Sequence, residues 1–212
     1  MRFHEALIEK SPYSHLAWYN LGHALTSLGQ FEKALDAFGY VAAIDEDFDG
    51  SSICSGDVLY MMERYPEALT SYQEAIKISK PNKELYLKAA ECYGKMKEFS
   101  KARATLRKAI SLDPYFDEAF FQLGENYRIE EKWLKAVHNY ERAVKLNKEI
   151  MRYLSALAEA FIPVGDKEKE EEVFERWFKS DPWNGQTGII WLRAFFMYEI
   201  LRKLFILLMK PE

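Results

Sequence analysis

The chain has 212 residues, and 29 Lys and Arg against 33 Asp and Glu leave a formal charge of -4 at pH 7, with 49% hydrophobic and 15% aromatic residues. That apolar content can build a substantial core and excludes a disordered chain, while the slight acidity removes the basic excess that non-specific nucleic-acid binding draws on. Ten Gly and seven Pro are too few for a turn-rich sandwich or barrel, so long helices are expected.

Segment 1–14 reads as the second helix of a truncated repeat, whose Phe3, Ala6 and Leu7 pack only on the repeat that follows. The chain is then a fragment of a longer array, or a start within one. Glu5 and Glu9 interrupt the apolar run that a secretory signal needs.

From His15 onward the sequence repeats with a period of 34, and frames 15–48, 49–82, 83–116, 117–150 and 151–184 stack in register. The eighth position reads Gly22, Gly56, Ala90, Gly124, Ala158, and the twentieth Ala34, Ala68, Ala102, Ala136, Glu170. Bulky residues hold the eleventh (Leu25, Leu59, Tyr93, Tyr127, Phe161) and the twenty-fourth (Phe38, Tyr72, Leu106, Tyr140, Phe174). Small side chains let two helices approach, and large ones fill the groove beside them. Within each frame the apolar residues recur three and four apart on two successive segments, as in Trp18, Leu21, Gly22, Leu25 and then Ala34, Leu35, Phe38, Val41, which is helical periodicity. Gly29 ends the first helix of frame one, Pro66 opens the second helix of frame two, and Pro81, Pro114 and Pro182 close frames near their ends.

WYNLGHALTSLGQFEKALDAF at 18–38 resembles the tetratricopeptide repeat, as does frame four with Phe120, Leu123, Gly124, Tyr127, Ala136, Tyr140 and Ala143. The resemblance covers about residues 1–184, with Leu7 and Pro12 fitting the tail of the truncated repeat. It implies an all-α fold, a right-handed α-solenoid of antiparallel helix pairs whose first helices line a concave groove that holds peptides or partner proteins. Asn20 shares a residue type with the carboxylate clamp of chaperone-binding members but not its place, so that clamp is not carried over.

Frame two has Ser52 and Ser55 where bulky apolar residues belong, and its first helix should be the least well packed. Frame five has Glu170 and Trp177 at small-residue positions and Pro163 near the end of its first helix, so distortion is expected there. Residues 185–212 read as a hydrophobic C-terminal helix. Its apolar run at 189–209, IIWLRAFFMYEILRKLFILLM, approaches bilayer length, but Arg193, Glu199, Arg202 and Lys203 disfavour membrane contact, which leaves a cap on the last repeat or a homo-oligomer through this segment, the latter expected because one neighbouring repeat covers only a stripe of it.

His4, His15, His23 and His138 have no metal spacing, and no phosphate loop or nucleophile motif occurs, so neither a cofactor nor a metal nor catalysis is expected. Cys54 and Cys92 are too few for a disulfide framework and read as thiols of a reducing, cytoplasmic setting. The expected function is a non-catalytic scaffold for a protein or peptide, without nucleic acid. Its alternatives are a regulatory or assembly module of a larger protein, or a membrane-associated assembly factor using the C-terminal helix.

In each first helix the fifth, ninth and twelfth positions share one face. The candidate binding residues are Tyr19, His23 and Thr26 in frame one, Ile53, Asp57 and Tyr60 in frame two, and Leu87 and Glu91 in frame three. Frame four adds Phe121, Glu125 and Arg128, and frame five Glu159. An acidic row beside an apolar one predicts a groove for ligands of apolar or basic character.

Overall fold

The computed structural model describes residues 11–180, which form ten helices in five successive pairs and, among the described residues, no strand. These are α1 (His15–Ser27), α2 (Phe31–Ile44), α3 (Asp49–Met61), α4 (Tyr65–Ile78), α5 (Lys83–Lys95), α6 (Phe99–Leu112), α7 (Asp117–Ile129), α8 (Trp133–Leu146), α9 (Met151–Val164) and α10 (Lys167–Ser180). The first helices begin at His15, Asp49, Lys83, Asp117 and Met151, 34 residues apart. Most of the 1–14 segment and all of the 185–212 segment, with the apolar run at 189–209, lie outside the described residues. Among the described residues no helix is long and apolar enough to cross a membrane.

The turn inside each pair repeats in atomic detail. Gly29 N–H donates to Thr26 O and Gln30 N–H to Leu25 O, at 3.0 and 2.9 Å. The same two bonds recur from Glu63 and Arg64, from Lys97 and Glu98, and from Glu131 and Lys132. This is the Schellman closure, which satisfies the last helical carbonyls and needs a left-handed residue just past the cap. That residue is Gly29 at φ 71°, then Glu63, Lys97 and Glu131 at 60°, 61° and 56°, and Gly165 at 79°. Three frames therefore hold a side chain where glycine is the easy choice. N-caps add local closure: Ser14 accepts from Ala17 N–H, Asn82 from Glu84 N–H and Asp166 from Lys169 N–H.

The far ends of the pairs are clasped by polar side chains 30 residues apart: His15 with Asp45 at 3.8 Å, Asp49 with Ser79, and Lys83 with Asp113 at 2.5 Å. The Lys83 ammonium holds the Asp113 carboxyl below the ordinary carboxylate range.

The chain divides within α7, between Asn126 and Tyr127, into two compact units. In the first, small and large residues match as the periodicity requires. A Cβ added to Gly22 would stand 2.5 Å from the Phe38 ring, and one added to Gly56 would stand 2.5 Å from the Tyr72 ring. Where Ala90 already carries that methyl, Leu106 replaces the aromatic ring in the same apolar cluster. The core forms along the chain in steps. Val58 closes over Leu21, Leu25 and Phe38, and Cys92 over Leu59 and Tyr72, so each pair is sealed by the next first helix.

The second unit buries Val137, Tyr140, Tyr153, Leu154, Leu157 and Phe161. Frame five keeps its helix-turn-helix form. Its first helix gains one residue, Pro163 sits in the last turn, and Gly165 donates to Phe161 O and Ile162 O. Glu170, at the small-residue position, is half-buried, and burial pushes its carboxyl pKa up. The side chain of Trp177 lies outside the described residues.

Candidate functional site

The candidate face is built from consecutive first helices of the first unit. Tyr19 on α1 is ringed edge-on by His23 and Phe48, at 4.5 and 5.2 Å between ring centroids, and by Phe38 at 5.9 Å. Its hydroxyl hydrogen bonds Cys54 of α3 at 3.5 Å, and that bond, with burial, pushes the phenol up to about 12. The Cys54 sulfur also lies 3.5 Å from Nε2 of His23. Burial raises this thiol, which keeps it in the unreactive protonated form at neutral pH. Thr26 donates to Gly22 O at 2.9 Å, which ties the hydroxyl to its own helix.

Asp57 on α3 is committed within the fold. It accepts 2.7 Å from the Tyr72 hydroxyl and 2.5 Å from the Lys88 ammonium of α5. Lys88 also stands 5.7 Å from the centre of the Tyr72 ring. The acidic row read along the ninth position is thus partly neutralised at this step, and the charge clamps frame two to frame three. Tyr60, edge-on to Tyr65 at 5.3 Å, is pushed up to about 12 by burial and by the nearby Glu91 carboxylate. Ile53, Leu87 and Glu91 are half-buried, each with part of its side chain on the surface, and Glu125 is half-buried on α7.

Phe121 differs from the other fifth-position residues. It is 8% exposed and belongs to the core, whereas Tyr19, Ile53 and Leu87 remain half-exposed. In the second unit, Arg128 is half-buried and Glu159 is exposed.

Two participants were missing from the sequence reading, Cys54 and Lys88, both at the sixth position of their frames. Their spacing would have found them. His23 to Cys54 and Asp57 to Lys88 are both 31 residues apart, the ninth position of one frame meeting the sixth of the next. Among the described residues no three His, Cys, Asp or Glu gather as metal ligands do. What this face offers is half-exposed aromatic and aliphatic surface, phenol and carboxylate groups at its edge, and a spacing set by the helix repeat.

Sequence patterns described as tetratricopeptide repeat match residues 15–48 and 59–123. The Hsp70-Hsp90 organizing protein of Triticum aestivum is 27% identical over 121 residues, 57% of this chain and 21% of its own length. The protein O-mannosyl-transferase TMTC1 of Homo sapiens is 26% identical over 166 residues, 78% of this chain and 18% of its own length. The chain therefore spans about a fifth of the length of these relatives. Among solved structures, YrrB, described as a TPR protein with an unusual peptide-binding site, superposes with a TM-score of 0.65 at 18% identity, covering 87% of this chain and 95% of its own. That likeness shows a shared fold of helix pairs.

Proposed function

We propose, from the premise that this chain is a tetratricopeptide repeat protein, that it is a protein-interaction scaffold without turnover of its own, holding a peptide or protein segment of apolar and basic character on its first helices. The observation that carries the reading is the linked surface of α1, α3 and α5, where Tyr19, Ile53, Tyr60 and Leu87 stay half-exposed on consecutive first helices joined by the Tyr19–Cys54 and Asp57–Lys88 contacts. A half-exposed aromatic row supplies contact area at low entropic cost, and carboxylates beside it select the charge of the ligand more than they tighten it. The peptide-binding site for which YrrB is described and the organizing role named for the Triticum aestivum protein favour the same class. The free thiols Cys54 and Cys92 fit a reducing, cytoplasmic setting.

A second reading has its own support. This reading, the interaction module of a larger protein, is favoured by relatives of which the chain matches about a fifth of the length and one of which is named a transferase.

The test is fluorescence anisotropy with two labelled peptide pools, apolar-basic and apolar-acidic. The basic pool binds in preference, and the double reversal Glu91→Lys and Glu125→Lys weakens it by about tenfold, roughly 1.4 kcal/mol. Asp57 is left alone, since removing it strands Lys88 and Tyr72 and confounds binding with stability. Equal binding of the two pools refutes the proposed polarity.

A further inference from the structure

The second helices differ sharply in charge. α2 carries Glu32 and Asp36 against Lys33, α4 carries Glu67 and Glu74 against Lys77, and α8 carries Glu141 against Lys135, Arg142 and Lys145, while α6, reading FSKARATLRKAISL, has Lys101, Arg103, Arg107 and Lys108 and no acidic residue. The buried side of α6 is set by Ala102, Leu106 and Ala109, each 0% exposed. Ser100, Lys101, Ala104, Arg107, Lys108 and Ser111 stand exposed on the remaining surface. From Lys101 to Lys108 this face runs two turns, about 10 Å at the helical rise.

Two of the cations are held in place rather than waving in solvent. Lys101 lies 5.7 Å from the centre of the Tyr93 ring, and Lys108 lies 5.9 Å from that of Tyr86, both rings belonging to α5. A cation resting on an aromatic face has already lost part of its rotamer freedom, so a ligand loses less on meeting it. Lys101 also pairs with Glu98 at 2.5 Å. Among the described residues no carboxylate lies within ion-pair distance of Arg107 or Lys108. Leu112, 44% exposed, ends the stripe with apolar surface.

We infer that the exposed face of α6 docks an acidic segment of a partner protein. The range of the charges selects this occupant over other anions. The chain as a whole carries -4, so a long polyanion such as duplex nucleic acid, or an anionic bilayer, meets net repulsion beyond the patch. A short acidic segment laid along two turns feels chiefly the cations within a Debye length, about 8 Å at physiological ionic strength. This surface is separate from the first-helix face and of opposite polarity, and it does not depend on the groove reading. With both in use, one chain bridges two partners of opposite charge.

The experiment uses the full chain and a fluorescein-labelled, Glu-rich decapeptide ending in Leu, with its Lys-rich counterpart as control, followed by anisotropy at low and physiological salt. The acidic peptide binds, its affinity falls with salt, and Arg107→Glu with Lys108→Glu lowers it by about tenfold or more, while binding of the Lys-rich peptide does not fall. Both side chains are exposed, so the variant keeps its helical circular-dichroism spectrum; the milder pair Arg107→Gln and Lys108→Gln gives an intermediate loss. Unchanged affinity in both variants overturns the assignment. So does preferential binding of a DNA duplex or of phosphatidylserine vesicles that the same reversal abolishes. A salt-sensitive dimer in light scattering that disappears in the reversed variant also overturns it, because the face is then occupied by a second copy.

Discussion

Gly22 and Gly39 allow a sharp test of the packing argument, because they stand on the two helices of one pair and differ only in what surrounds them. A methyl on Gly22 would lie 2.5 to 2.8 Å from three atoms of the Phe38 ring, and Phe38 is itself 1% exposed and hemmed in by Leu21, Leu25, Ala37 and Val58. The ring has nowhere to go without moving a neighbour, and overpacking of this kind costs about 1–3 kcal/mol. Helix propensity returns about 1 kcal/mol when glycine becomes alanine, so Gly22→Ala should destabilise by a net of about 1 kcal/mol. Gly39 has nothing within 4 Å of its added Cβ, and Gly39→Ala should stabilise by about 0.5–1 kcal/mol. The chain already contains the relieved version of the crossing, Ala90 with Leu106. Phe38→Leu alone leaves a void and destabilises, but Gly22→Ala combined with Phe38→Leu should recover more than the sum of the singles, with a coupling of about 1–2 kcal/mol. Urea unfolding followed by circular dichroism measures all four corners, with equal m-values required before the free energies are compared. Additivity within about 0.3 kcal/mol would refute the claim that position eight is kept small by the ring at position twenty-four.

Three further expectations rest on separate features. Glu63→Gly, Lys97→Gly and Glu131→Gly relieve left-handed backbone at φ 60°, 61° and 56°; each should raise the thermal midpoint by about 2 °C, whereas Gly29→Ala lowers it, and a fall in all three glycine variants would contradict the turn argument. Burial and the Glu91 charge push the Cys92 thiol from 9.0 up to about 12. Its contribution to stability is complete below pH 9 and lost as pH rises toward 12, so Cys92→Ala should lose less stability than the parent between pH 9 and 10, the tyrosines contributing equally to both proteins; identical pH profiles would count against it. The buried set of α3 is Ser51, Gly56, Val58 and Leu59, of which Ser51 and Gly56 bring no apolar side chain, whereas all four of Leu85, Ala89, Ala90 and Cys92 of α5 do. Amide exchange should therefore be faster across 49–61 than across 83–95, and the reverse order would show that neighbouring pairs, rather than local burial, set the opening energy.

What the sequence determined by itself was the periodic part of the protein. Helix pairs, their turns and the small-against-large crossing depend on residues less than one repeat apart, and a 34-residue period prints them several times over, so Gly22 with Phe38 and Gly56 with Tyr72 could be matched before any coordinate was known. The candidate face was legible only in outline. Its residues fall on successive first helices, but their roles depend on contacts between successive frames, where no single frame carries the information. Tertiary structure alone decided that Asp57 clamps Lys88 and Tyr72 instead of standing open to a ligand, that Cys54 joins Tyr19 and His23, and that Phe121 sinks into the core while Tyr19, Ile53 and Leu87 stay half-exposed. It also decided that Glu63, Lys97 and Glu131 take a glycine's conformation. Local preference resists that conformation by a kcal/mol or two at each turn, and the packing of each helix on its partner, repeated along the array, outweighs it.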